Sequence, residues 1–297
     1  VPRLPGLLLT LLAGSGLSCC REAKPWDAPD WRPAQPPQRI VAASVFAAEV
    51  LLAIAPRERI AAVHYLAADA RYSLVAGATP GLTLVGAEPE QLLAVAPDLV
   101  VCDAFTRPET LALLAAADVP VVRTAEAASF DDIGANIRAV GRLCHLDEPA
   151  ERLVRQMHER LRALEQHAPE VATWRVMSLD GALHTYGRPS LFDALVGAAG
   201  ARALASERGV GPFRRLDLET VLAWQADAFV LGGDGGIGGA GGEVPAWLAQ
   251  APGLSQLPCV EKKHLLHIPG PLLGSTSHHL VGAAEALQQQ LLRWGRP

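Results

Sequence analysis

Glu90-Gln-Leu-Leu-Ala-Val-Ala-Pro-Asp98-Leu-Val-Val101 and Glu219-Thr-Val-Leu-Ala-Trp-Gln-Ala-Asp227-Ala-Phe-Val230 read as two versions of one unit. Each opens a short helix with a glutamate, turns at an aspartate and enters an apolar run short enough for a buried strand. The second version stands 129 positions after the first. A match of sequence and element order together predicts a structural repeat, hence two similar halves in a chain of 297 residues.

Outward from the first copy, β-rich runs alternate with helical stretches, which predicts α/β layers around a largely parallel sheet. Strands are expected at 39–44, 60–65, 82–86, 98–103 and 119–124, with helices at 45–55, 88–96 and 107–117. Ser129 with Asp132 makes a capping-box-like start for a helix through Cys144. Asp147 or Glu148, with Pro149 in the first turn, then opens a helix reaching Ala168 and stopped by Pro169. On it Leu153, Met157, Leu161 and Leu164 recur at three or four residues, the stripe of a long amphipathic helix. Around the second copy the alternation resumes, with strands at 175–180, 228–233 and 264–269 and helices at 190–199, 216–224 and 278–294.

Half of the residues are hydrophobic and 19% are charged, which excludes a disordered chain. The net charge of −5 lacks the basic excess that phosphate neutralisation requires, so no nucleic-acid partner is expected. At the N-terminus, Arg3 precedes an apolar run at 4–17, too short to span a bilayer and shaped like a secretory signal peptide. The following Leu17-Ser18-Cys19-Cys20 is similar to the lipobox of a bacterial lipoprotein, with Cys20 or Cys19 as the acylated residue. Residues 21–38 hold five prolines and no period, and read as a tether. Cys102, Cys144 and Cys259 show neither disulfide nor zinc spacing and are expected to be buried thiols.

Five strings, two of them containing the repeated unit, carry a family resemblance, spread in order over nearly all of 39–294. They are Arg-Ile-Val-Ala-Ala-Ser at 39–44 with Glu49 after it, Gly86 to Val100, Val-Pro-Val-Val at 119–122, Leu218 to Val230, and Gly253 to Leu265. The chain resembles the periplasmic solute-binding proteins of ABC importers for cobalamin, haem and ferric siderophores. It departs from that pattern at Ala226, where a proline is usual, and in the glycine-rich run 232–242. The resemblance implies two doubly wound, Rossmann-like α/β lobes bridged by one long rigid helix, with a ligand cleft between them. The organisation expected is a signal peptide with a lipobox-like end at 1–20, the tether at 21–38, a lobe at 39–147, the backbone helix at 148–168 and a second lobe at 169–297. It also implies a monomer outside the cytoplasmic membrane, held by its N-terminal lipid anchor and delivering a small-molecule metal chelate to the importer's permease and ATPase. Glu90 and Glu219 match the family's acidic docking residues, one per lobe.

Ligands in open α/β sheets bind beyond the carboxyl ends of strands. That rule selects His64, Tyr65, Tyr72, Asp103, Phe105, Asp180, His184, Tyr186, Arg188, Asp234, Leu272 and Ser275 as candidate ligand contacts. Imidazole and phenolate among them could meet a metal carried by the ligand, while no resident cofactor or metal is expected. Ala87 follows Gly86 where the family's haem binders carry tyrosine, which weighs against haem. The shortage of arginine in these loops weighs against anionic siderophores. His278 and His279 are adjacent on a helix and splay about 100° apart, a poor chelate, and Ser275 is expected to cap that helix. Gly233-Asp-Gly235-Gly-Ile-Gly238 matches a dinucleotide fingerprint, but no helix follows it. No nucleophile elbow, P-loop or zinc-protease motif occurs, so no enzyme is expected. A lipid-anchored sensor or scaffold on the same fold is the alternative, and a hydrolase built from Ser275, His184 and Asp180 the remote one.

Overall fold

A computed structural model of the chain describes residues 31–231 and 244–297. The first half runs β1 (Ile40–Ala42), α1 (Val45–Ile54), β2 (Ile60–His64), β3 (Thr83–Val85), α2 (Pro89–Ala94), β4 (Leu99–Cys102), α3 (Pro108–Ala116) and β5 (Val121–Arg123). Three helices follow: α4 (Phe130–Leu143), α5 (Asp147–Glu165) and α6 (Ala168–Val171). The second half begins with β6 (Arg175–Leu179), β7 (His184–Thr185), α7 (Leu191–Ala198), β8 (Arg202–Ala203), α8 (Leu204–Glu207) and β9 (Arg214–Arg215). It continues with α9 (Leu218–Trp224), β10 (Ala228–Leu231), α10 (Ala246–Gln250), α11 (Pro258–Glu261), β11 (Leu265–His267), α12 (Gly270–Leu273) and α13 (Val281–Trp294).

The first sheet is parallel in the order β3-β2-β1-β4-β5, and the second is parallel in the order β11-β10-β6-β8. Every residue of β1, β4 and β10 is buried, as expected of strands covered by helices on both faces. The repeated unit forms α2 and β4 in one lobe and α9 and β10 in the other. Its turn is the same in both. Ala96 and Gln225 stand 129 positions apart, and each has φ 47°, the left-handed stop of its helix. Asp98 then accepts the backbone N–H groups of Gln38 (2.6 Å) and Arg39 (2.9 Å), and Asp227 accepts that of Arg175 (2.9 Å). The Arg39 guanidinium donates to the Ala96 carbonyl and that of Arg175 to the Gln225 carbonyl, at 3.0 and 3.1 Å. Each pair ties the opening of a central strand to the neighbouring strand.

One apolar core runs through both lobes by way of α5, whose Ala150, Val154, Met157 and Leu164 are buried among residues of either half. At 1.5 Å per residue its 19 residues span about 28 Å. Two smaller clusters cover the outer sheet faces, one around Val41, Leu92 and Leu114 and one around Met177, Phe229 and Leu254. α4 lies so close to α5 that a Cβ on Gly141 would stand 2.3 Å from that of Ala150.

Several details differ from the sequence reading. No side chain caps α5: Leu146 holds its N-cap position, and Asp147 instead pairs with Arg32 at 2.8 Å. α5 ends at Glu165, and Pro169 sits in the first turn of α6, where its missing N–H costs nothing. Residues 31–38, read as the end of a tether, are laid along the first lobe. Arg142 donates to the Trp31 carbonyl, His145 Nε2 to that of Pro33 and Arg59 to that of Pro37. Prolines offer acceptors without donors, and the lobe supplies the donors. Ser277, rather than Ser275, caps the turn before α13 by accepting the His279 N–H at 3.3 Å. The signal segment with Cys19 and Cys20, residues 21–30, and the glycine-rich run with Asp234 lie outside the described residues. No helix among the described residues is long and apolar enough to cross a membrane.

Candidate functional site: the cleft between the lobes

The carboxyl ends of strands from both sheets meet a cleft of about 1230 Å³. From the first lobe come His64 at the end of β2, Asp103 to Arg107 after β4, and Thr124 to Ala128 after β5. The second contributes Ser178 to Asp180 at the end of β6, His184, Tyr186 and Phe213. The site thus follows from the strand direction of two parallel sheets. Asn136 on α4 secures the strap after β5 by accepting the Ala125 N–H at 3.0 Å and donating to the Ala125 carbonyl at 2.8 Å.

On the second lobe the wall is aromatic. The His184 ring stacks on Phe213 at 4.9 Å and 22°, and Tyr186 leans on Phe213 at 5.2 Å and on Phe192 at 6.4 Å. A small antiparallel ribbon of β7 and β9 holds these rings. The wall also needs Gly187: its N–H donates to the Gly211 carbonyl, and a Cβ there would lie 2.2 Å from the Val210 carbonyl oxygen. On the first lobe Phe105 is 74% exposed, and Phe213 opposite is 57% exposed. Large rings left bare on two cleft walls are surface that a ligand would cover.

The two cleft histidines differ in chemistry. His64 Nδ1 accepts the Leu66 N–H at 3.3 Å, so the proton of the neutral ring sits on Nε2 and faces outward as a donor. Burial lowers its basicity, partly opposed by Asp103. His184 is arranged the other way. Its Nδ1 lies 3.0 Å from Asp180 Oδ2, while Asp180 Oδ1 accepts the backbone N–H groups of Ala182 and His184 at 2.9 and 2.8 Å. Burial pushes the Asp180 carboxyl up, but the His184 backbone N–H, its imidazole and the Ala182 N–H together outweigh that and hold it below the ordinary carboxylate value.

Of the residues selected from sequence, His64, Asp103, Phe105, Asp180, His184, Tyr186 and Ser275 line the cleft. The others do not. Tyr65 packs its ring on His64 at 4.6 Å and faces solvent, and Tyr72 lies exposed beneath the Arg71 guanidinium. Arg188 is spent on Asp193 at 2.9 Å, and Leu272 packs into the core while its neighbour Leu273 takes the lining position. Glu90 and Glu219 are exposed in the first turns of α2 and α9, equivalent places on the two lobes. The His278 and His279 rings meet at 4.0 Å with a tilt of 36° and are absent from the cleft wall. Among the described residues no group of three or more potential ligands is gathered to hold a metal ion. Cys102, Cys144 and Cys259 are free and buried, and burial pushes their thiols up to about 11, about 12 and about 12.

Sequence reasoning missed Phe213, Phe192 and Phe46. Phe213 follows no parallel strand, Phe192 is inside a helix, and Phe46 opens one, so the strand-end rule passed over all three. The available signal was Gly209-Val-Gly-Pro-Phe213, a turn-rich loop carrying one exposed aromatic.

A family profile described as periplasmic binding protein matches residues 40–272. A cobalamin-binding protein of Halobacterium salinarum is 25% identical over 203 residues, covering 66% of this chain and 54% of that protein. The chain therefore spans about half the length of that relative. A vitamin B12-binding protein of Pectobacterium atrosepticum is 28% identical over 209 residues, covering 66% of this chain and 72% of that one. Among solved structures, the apo periplasmic heme-binding protein from Roseiflexus sp. RS-1 superposes with a TM-score of 0.73 at 24% identity, over 87% of this chain and 99% of the other. The periplasmic vitamin B12 binding protein of Vibrio cholerae superposes with a TM-score of 0.68 at 18% identity, over 87% and 98%. At these identities the structural likeness is one of fold.

Proposed function

The chain belongs to the periplasmic binding protein family, and on that premise we propose that it captures a metal chelate in the interlobe cleft and hands it to an ABC importer. The reading favours a neutral or cationic chelate, a corrinoid first. The observation that carries it is the charge and texture of the wall. Aromatic rings come from both lobes, yet among the described residues Arg107 is the one guanidinium on the lining and no lysine joins it, against Glu88, Asp103, Glu126 and Asp180. The carboxylates of a haem or the anionic catecholate oxygens of a ferric catecholate siderophore would meet four acidic side chains, whereas a corrinoid brings amides that these can accept from. A volume above the usual 300–1,000 Å³ range of small-molecule sites also suits a large macrocycle.

Export, lipid anchoring through Cys20 or Cys19, a monomeric state and docking through Glu90 and Glu219 belong to the same reading. Two exposed carboxylates on separate lobes give a two-point electrostatic contact that fixes orientation and speeds encounter.

The test is thermal melting of the full chain with cobalamin, haemin and ferric siderophores. A ligand that binds only the folded state at a hundredfold excess over Kd adds about 2.7 kcal/mol of stability, so cobalamin should raise the melting temperature and ferric catecholates should not. Stabilisation by an anionic siderophore alone would overturn the charge argument. In cells, Glu90→Arg with Glu219→Arg should abolish uptake while leaving that ligand shift intact; uptake at the unaltered rate would remove the docking role.

A further inference from the structure

The corrinoid reading leaves the cobalt's axial positions unassigned. His184 presents one side of its ring to Asp180 and one face to Phe213, so both its tautomer and its direction are set. With the proton on Nδ1 directed at the Asp180 carboxylate, Nε2 carries the ring's lone pair, on a residue that lines the cleft. A carboxylate behind an imidazole, orienting it and raising its donor strength, is the arrangement that supports a metal-binding histidine. Asp180 is itself braced by two backbone N–H groups, so the pair is rigid before any ligand arrives. His64, the other imidazole on the lining, cannot do this in its present tautomer: its Nδ1 is occupied by the Leu66 N–H, and its Nε2 offers a proton.

We propose that His184 Nε2 binds the metal of the cargo directly, selecting a corrinoid whose cobalt carries an exchangeable axial water over one whose axial position is blocked. Asp180 is the positioning residue. The Nε2 lone pair forms the cobalt–nitrogen bond and the axial water leaves with its own electron pair, so no proton or redox change accompanies the exchange. His64 is left to donate from Nε2 to an acceptor at the macrocycle's edge. The proposal rests on the corrinoid reading, and its test separates the two.

The full chain is titrated with aquocobalamin, which has an exchangeable axial water, and with cyanocobalamin, in which cyanide holds that position. The expected result is tighter binding of aquocobalamin, with a visible-band shift to that of an imidazole-ligated corrin. His184→Phe keeps a ring against Phe213 but has no nitrogen; its spectral shift should vanish and the two affinities should become equal. Asp180→Asn should weaken aquocobalamin by about tenfold or more with cyanocobalamin little changed. Equal affinity for both corrinoids in the parent chain, with no band shift, overturns the axial role and leaves the corrinoid reading standing. Failure to bind either corrinoid overturns both.

Discussion

Glu49 lies on α1 with 1% of its surface exposed, yet its carboxyl is fully engaged. Oε2 accepts from Ser277 Oγ at 2.6 Å and Ser275 Oγ at 3.3 Å, and Oε1 accepts the Leu74 N–H at 3.2 Å. Because Ser275 and Ser277 lead into the last helix, this one side chain fastens the end of the chain to the first lobe. A buried donor left without an acceptor costs about 1–3 kcal/mol. Glu49→Ala strands the Leu74 N–H and frees two hydroxyls, so it should lower unfolding free energy by about 3 kcal/mol in a denaturant titration, with Glu49→Gln losing less. A loss below about 1 kcal/mol would mean that water takes over the acceptor's place. The glutamate was visible in the sequence as part of the opening string of the first lobe, but its partners were not: the two hydroxyls lie more than two hundred positions away and Leu74 lies in a loop 25 positions on.

At the scale of elements, the helix pair α4 and α5 decides how the lobes are joined. The glycine at 141 exists for contact, since α5 brings Ala150 against it and the Leu146 carbonyl oxygen lies 3.0 Å from where a Cβ would be. Gly141→Ala forces the pair apart. Overpacking of this kind costs about 1–3 kcal/mol, outweighing what alanine gains over glycine in a helix interior. The expected outcome is a lower melting temperature with ligand affinity retained, checked by calorimetry with and without ligand. The pattern of α5 itself was legible, because leucines and a methionine at three and four residues can only be one face of a helix. Its start at Asp147 was legible as well, but its end was not, because no side-chain cap marks the stop at Glu165.

For the whole molecule, buried histidines make stability depend on pH. Burial, with His279 and Arg160 nearby, lowers His278 from its ordinary value to about 3, and His279 and His64 shift in the same direction for the same first cause. The unfolded chain takes up these protons near pH 6.5 while the folded chain refuses them. The contribution is therefore whole above about pH 6.5 and shrinks as pH falls toward 3, by up to about 1.4 kcal/mol per pH unit for one histidine. Melting temperature should fall from about pH 7.5 to about pH 5, and His278→Gln should make that decline shallower. A flat profile for the parent chain would contradict the burial of these rings.

By itself the sequence determined the alternation of strands and helices, the repeated unit and the long helix between the halves, since periodicity and turn chemistry are local properties that each stretch carries alone. It also placed seven of the cleft residues, because a parallel sheet sends its ligand to the strand ends wherever the strands go. Only the tertiary structure decided that Ser277 and not Ser275 caps, that Arg188 is consumed by Asp193, and that Phe213 joins His184 and Tyr186 in one wall. It likewise decided that one cleft imidazole donates while the other keeps a lone pair. Those outcomes depend on which groups meet across long separations, and a hydrogen bond or ring contact is specified by geometry that no single stretch of chain contains.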